Sequence, residues 1–440
     1  MNQQKTFCCE QDACHDYIPL QWHVPQGRIA MVSMHTCPLA PLGSSSAGGM
    51  NVYVRELSRE LGRRGWAVDI FTHAQSLERP LVIQVARNVR VVHVQAGPIK
   101  HIGKNELYQY VPEFAHNVKK MTSEAGIWYD AIYSHYWLSG LVGEELRKAW
   151  GAPMIQMFHT LGRMKNRVAQ RREDRELDAR ITSEKHIMEM ADRLIGANPI
   201  DRQHMLDLYD ADPCKIEIVP CGVDLSLFRP IRQEEARDEL EIPADKKLIL
   251  FVGRIDPVKG LDTLLRAIAL LVEQQPALRQ RLMLGIVGGN AEDDLEDMNA
   301  EMRRLRTLRD QLALRDVVTF LGGQAQETLP YFYAAADVVA VPSDYESFGM
   351  VALEAMACGT PVIASKVGGL TYTIRNGKNG LLIPPRRPDI LANKILELLQ
   401  NPSLRTRIGQ EAIKRAERFG WRSIAGQILA TVRDLTQVRV

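Results

Sequence analysis

Short β-branched segments alternate with amphipathic ones in two long runs along this chain, a rhythm that leaves room for little besides layered, mostly parallel α/β structure. The first run begins at Arg28 with RIAMVSMH, NVYVRELSRELGRRG and AVDIFTH, and continues through NVRVVHVQAG, DAIYSHY, PMIQMFH, RLIGANP and KIEIVPCGVD. It predicts a first sheet of about seven or eight strands. Residues 225–247 then bring two prolines and a charged, poorly apolar stretch, which reads as the passage between domains. The rhythm restarts with KLILFVGR, RLMLGIVGG, VVTFLGG, DVVAVPS, TPVIAS and NGLLIPP. At 440 residues the chain exceeds one ordinary core. The expectation is two Rossmann-like halves, residues 28–224 and 225–420, after a flexible tail over 1–27 and before a helix over 421–440.

Composition narrows the function classes. With 55 basic and 53 acidic residues the net charge is +2, so no global field marks a nucleic-acid binder. No apolar run approaches the roughly 20 residues that span a bilayer, and the first residues lack a continuous apolar signal core. A cytoplasmic protein with no integral membrane segment is expected. Seven cysteines, an odd number scattered along a long chain, argue against a disulfide framework. Cys8, Cys9 and Cys14 have no CxxC partner or paired histidines to complete a metal site, so no metal is expected.

The segment SDYESFGMVALEAMACGTP, residues 343–361, separates Glu346 from Glu354 by eight positions across a loop-to-helix junction. Ser347-Phe348-Gly349 opens a helix whose apolar Met350, Val351, Leu353 and Met356 are expected to face inward, and its free N–H groups make an anion seat. Two carboxylates on their own also suit a solvated helix face. Arg254 and Lys259 end and follow the strand KLILFVGR and should converge at the C-terminal edge of the second sheet, where two cations can hold a diphosphate. Gly48-Gly49-Met50-Asn51 stands between a strand and a helix, where glycines admit close ligand approach but equally serve a tight turn. His135-Tyr136 and His159-Thr160 end two strands of the first half.

Glu346 and Glu354 match the E-x7-E signature of the retaining, GT-B-fold glycosyltransferases that use nucleotide sugars, which this chain resembles from about Arg28 to its last helix. The resemblance implies two Rossmann-like domains across a cleft and a C-terminal helix crossing back to the first. It implies that Glu346 holds donor-sugar hydroxyls and Glu354 the ribose, with Gly49, Phe348, Gly349, Met350 and Val351 also lining the donor site. Arg254 and Lys259 in GR-x4-KG match the family's diphosphate clamp, and His159 would contact the donor sugar or the oxocarbenium-like centre. The GGMNVYV loop resembles that of the D-inositol-3-phosphate glycosyltransferases of mycothiol synthesis. Lys104, Tyr136, Thr160 and Arg180 match their acceptor-phosphate binders, and Asn51 joins them on the acceptor side.

The implied activity is retaining transfer from a UDP-sugar to a phosphorylated cyclitol or sugar, without cofactor or metal; the nearest model moves N-acetylglucosamine to 1L-myo-inositol 1-phosphate. A sucrose-phosphate-synthase-like transfer of glucose to fructose 6-phosphate is the alternative, although its glycine loop commonly reads GGQ where this chain has GGMN. Polysaccharide or other small acceptors, a nucleotide-sugar-binding protein without turnover, and a homodimer stay open. A general-base constellation for inversion does not emerge from the sequence, nor a second carboxyl for a glycosidase.

Overall fold

The computed structural model describes residues 25–40, 48–76, 78–169, 171–289 and 300–437. Cys8, Cys9, Cys14 and most of the expected tail lie outside the described residues. The first half builds an eight-stranded sheet from β1 (Arg28–Val32), β2 (Ala67–His73), β3 (Val82–Ala86), β4 (Val89–Val94), β5 (Ala131–His135), β6 (Met154–Met157), β7 (Arg193–Gly196) and β8 (Ile216–Ile218), in the order β3-β4-β2-β1-β5-β6-β7-β8. β3 is absent from the runs read in the sequence. It pairs antiparallel with β4, and its half-buried residues give an edge strand a weak apolar signal.

The second half is a six-stranded parallel sheet of β9 (Lys247–Val252), β10 (Leu282–Val287), β11 (Val318–Gly322), β12 (Val338–Val341), β13 (Val362–Ser365) and β14 (Leu381–Ile383), ordered β11-β10-β9-β12-β13-β14. Central strands read as continuous buried runs, as in β2 and β12, because helices cover both faces. The passage between the halves carries a helix of its own, Gln233–Glu239. Its buried Arg237 donates to Asp337 at 3.0 Å and to the Ala335 carbonyl at 3.0 Å, which fastens it to the second half. Charge in that stretch thus marks an ion pair at the start of β12 as well as a solvated surface.

The last helix, Trp421–Gln437, returns to the first half. Trp421 packs edge-on against Tyr53 with ring centroids 5.4 Å apart, and Ile424, Ile428 and Val432 are fully buried. Arg64 donates to the Arg422 carbonyl at 2.5 Å and Thr431 to Glu217 at 2.5 Å. Among the described residues no helix is long and apolar enough to cross a membrane.

Candidate active site

Strand order fixes where ligands can bind. In the first sheet the chain leaves β1 toward β2 on one side and later places β5 on the other; in the second, β9 and β12 stand in the same relation. Open α/β sheets bind ligands outside the carboxyl ends of the strands at such switch points. Gly48 precedes the helix Gly49–Arg63, whose first turn carries Gly49 and Asn51; the helix Tyr136–Trp150 starts directly after β5; the loop after β9 holds Arg254 and Lys259, and that after β12 holds Glu346. All of these residues line one cleft of about 510 Å3 between the halves. Glycine at 49 eases the approach of the halves, since a Cβ there would lie 3.2 Å from Met350 Sδ, whereas one on Gly48 would make ordinary contact with the Arg254 side chain at 3.5 Å.

On the second half, Lys259 Nζ donates to Glu346 Oε2 at 2.6 Å, and Arg254 lies 3.7 Å from Asp256. The helix after Glu346 spans Met350–Ala357, with Gly349 at φ 87° as its N-cap. Leu353 and Met356 are in the core as expected, whereas Met350 and Val351 are half-buried and line the cleft. Helical geometry explains the correction: Glu354 follows Val351 by three positions and Met350 by four, so the three share one face. That face also borders an adjoining cavity of about 130 Å3, floored by the end of β9 and by Gly288. Tyr333 donates its hydroxyl to Glu354 Oε2 at 2.8 Å. Burial pushes the Glu354 carboxyl up to about 7 in spite of that bond. Phe348 borders the cleft, with its buried ring packed against Phe419.

On the first half the four expected phosphate residues come together. Arg180 is almost wholly buried; its Nη1 donates to the Tyr136 hydroxyl at 2.7 Å, and its Nη2 to the Thr160 carbonyl at 2.8 Å and hydroxyl at 3.2 Å. Lys104 Nζ meets both oxygens of Glu176 at 2.6 Å, and Arg180 Nη1 reaches the same carboxylate at 3.1 Å. Burial opposes ionisation of Glu176, yet Arg180, Lys165 and Lys104 hold its carboxyl down at about 2. Asn51 borders the cleft, but its amide is spent locally: Oδ1 accepts from Gly48 N at 3.0 Å, and Nδ2 donates to Thr36 Oγ1 and the Cys37 carbonyl at 2.7 Å each.

His159 faces the cleft from the loop after β6, and burial lowers its pKa to about 3. Its Nε2 is 3.0 Å from His135 Nδ1, so one neutral ring donates to the other. His159 and Tyr136 both hold positive φ, 60° and 76°, which is uncommon for residues with side chains and concentrates at functional sites.

Sequence reasoning missed several contributors. Glu184 locks Arg180 from behind at 2.7 Å, and Lys165 and Glu176 complete the cation cluster; their charge-rich run looks like any solvated surface. Asn198 donates across the cleft floor to the Ser347 carbonyl at 2.5 Å. Gly368 and Gly369 let the Glu346 loop lie against bare backbone, with Gly369 N donating to the Glu346 carbonyl at 2.9 Å. The sequence signal there was the glycine pair after β13.

This fold and cleft define a glycosyltransferase of the GT-B class. Its first half, residues 47–227, matches the model described as Glycosyltransferase Family 4, and its second, residues 232–415, the model described as Glycosyl transferases group 1. The chain belongs to this family of glycosyltransferases. It is 41% identical over 415 residues to the D-inositol 3-phosphate glycosyltransferase of Kribbella flavida, covering 94% of this chain and 97% of the relative. Among solved structures it is similar to sucrose-phosphate synthase from Thermosynechococcus elongatus, with a TM-score of 0.86 at 38% identity over 94% of this chain and 100% of that one. The Anabaena protein HepE in complex with UDP-glucose shares the fold at 22% identity, with a TM-score of 0.72 over 93% of this chain and 100% of that one.

Proposed function

We propose that the protein is a retaining hexosyltransferase that moves a sugar from UDP to a small phosphorylated acceptor, with 1L-myo-inositol 1-phosphate and N-acetylglucosamine as the nearest model. One observation carries the reading: across a single cleft, Glu346, Lys259 and Arg254 face Lys104, Tyr136 and Thr160, and the buried Arg180, which does not itself line the cleft, holds Tyr136 and Thr160 from behind. The first set suits a sugar diphosphate and the second a phosphate monoester. In this scheme Glu354 accepts the ribose hydroxyls and Glu346 those of the sugar. Arg254, Lys259 and the amino end of the helix at Met350 absorb the charge that develops on the diphosphate. The bond from the anomeric carbon to the β-phosphate oxygen breaks as the bond to the acceptor oxygen forms on the same face. The departing phosphate oxygen takes the acceptor proton, so neither a protein base nor a metal is called on.

Transfer to fructose 6-phosphate is the second reading, supported by the likeness to sucrose-phosphate synthase over the length of both chains. Both place a phosphate in the same cluster. A nucleotide-release assay with UDP-, ADP- and GDP-sugars against inositol 1-phosphate, fructose 6-phosphate and their unphosphorylated counterparts tests the proposal. UDP release that requires a phosphorylated acceptor is expected. Equal release with free inositol or fructose would overturn the phosphate seat, and release from ADP- or GDP-sugars alone would overturn the donor assignment.

A further inference from the structure

The acceptor side holds one more cation than the expected quartet. Lys165, on the helix Gly162–Val168, places its Nζ 2.7 Å from Glu176 Oε1, the oxygen that Arg180 also reaches, while Lys104 grips both oxygens at 2.6 Å. Lys165 and Lys104 both border the main cleft beside Tyr136 and Thr160. Glu176 does not line that cleft; its side chain, 3% exposed, stands behind the two ammonium groups and borders a second cavity of about 360 Å3. Asn166 fixes it there, its Oδ1 accepting from Glu176 N at 2.7 Å.

We propose that Lys165 is a further binding residue for the acceptor's phosphate and that Glu176 is the positioning residue that holds Lys104 and Lys165 together at one seat in front of the buried Arg180. The inference rests on the phosphorylated-acceptor reading above. Three cations brought so close repel one another unless an anion lies among them. Glu184 accepts from Arg180 Nε at 2.7 Å and turns the guanidinium toward Tyr136 and Thr160, so it neutralises Arg180 from the far side. Glu176 then offsets one of the two lysines, and the seat keeps a net positive charge toward the cleft. Each ammonium carries three N–H groups, and those not turned to Glu176 remain to meet a dianion. An ion pair that served folding alone would have no need of two lysines at the cleft wall.

The test compares steady-state kinetics with inositol 1-phosphate in Lys165→Met, Lys165→Arg, Glu176→Gln and, as reference, Lys104→Met, with UDP affinity by calorimetry reporting an intact donor site. Lys165→Met is expected to raise the acceptor KM about tenfold with kcat and UDP affinity little changed, and Lys165→Arg to recover most of the loss. Glu176→Gln should raise the acceptor KM in the same way. Should Lys165→Met fail to fold, Lys165→Gln keeps a donor toward Glu176 and carries the same comparison. If Lys104→Met raises KM and Lys165→Met does not, the role of Lys165 is overturned and the acceptor reading stands. If neither does, the acceptor reading itself falls. A lower KM in Glu176→Gln would make that carboxylate a competitor for the seat and overturn its positioning role.

Discussion

Replacing Glu354 by glutamine separates the ribose contact from the rest of the proposed donor site. Burial raises its carboxyl from an ordinary 4.5 to about 7 in the unliganded protein, while the Tyr333 hydroxyl at 2.8 Å favours the ionised form. A rise of that size corresponds to about 3 kcal/mol of preference for the protonated form. The sign follows from proton uptake. Between about 4.5 and 7 the folded state binds more protons at this group than the unfolded chain, so its contribution to stability is whole below 4.5 and is lost as pH rises through 7. A carboxylate that accepts two ribose hydroxyls must be ionised. UDP should therefore bind about tenfold more weakly at pH 6 than on the plateau above pH 8, through this group alone. The terminal phosphate of UDP titrates in the same range, so the informative quantity is the difference between wild type and Glu354→Gln. Calorimetric titration of UDP from pH 5.5 to 8.5 should give a variant whose affinity is lower at pH 8 and whose profile has lost the Glu354 step. Its thermal stability should exceed that of the wild type above pH 7. Superimposable pH profiles for the two proteins would refute the placement of ribose at Glu354.

Four further outcomes follow from the same geometry. Arg254→Ala should weaken UDP about tenfold or more by calorimetry, whereas Glu346→Gln, which loses its charge-assisted bond from Lys259, should cost turnover more than UDP affinity. Chelation with EDTA should leave nucleotide release unchanged, because Arg254, Lys259 and a helix amino end supply the charge; loss restored by magnesium or manganese would contradict this. In Gly369→Ala the new Cβ would fall 2.1 Å from the Ser347 carbonyl oxygen, so the Glu346 loop must shift. A thermal melt should show destabilisation of about 1–3 kcal/mol, together with a drop in turnover.

The two-sheet architecture was legible because helix-covered parallel strands leave long apolar runs, and each of the six runs read beyond residue 247 corresponds to a strand. β3 escaped because it is a short edge strand and only half-buried. The residues carried by short, spaced motifs, Glu346, Arg254 and Lys259, were legible for a different reason: each stands in the loop that follows a strand the apolar pattern marks, and Glu354 lies on the helix after the Glu346 loop. Arg180 and Lys104 came only through resemblance. Their partners Glu176, Glu184 and Lys165 were illegible, since a buried ion cluster and a solvated helix face have the same composition. Met350 and Val351 show the limit of reading apolar residues as core, because a nucleotide cleft also needs apolar walls.

The first residues after β5 and β6 join these observations to chemistry. Tyr136 and His159 are held at positive φ, and the surroundings over-determine them: buried Gln156 donates to the Tyr136 carbonyl at 3.1 Å, and Arg180 to the Thr160 carbonyl at 2.8 Å. The side chain that backs the proposed phosphate seat thus also pins the backbone beside His159. Burial leaves both imidazoles neutral, with His159 near 3, and the His159 ring adds to the lowering at His135. In the proposed transfer the anomeric carbon gains positive charge between Glu346 and this ring. A protonated histidine there would oppose the transition state, and a solvated one would admit water to compete with the acceptor. A neutral imidazole, fixed by His135 and by the edge of Tyr53 at 5.2 Å, does neither, so the burial that removes His159 as an acid or base fits it to stand beside a developing cation.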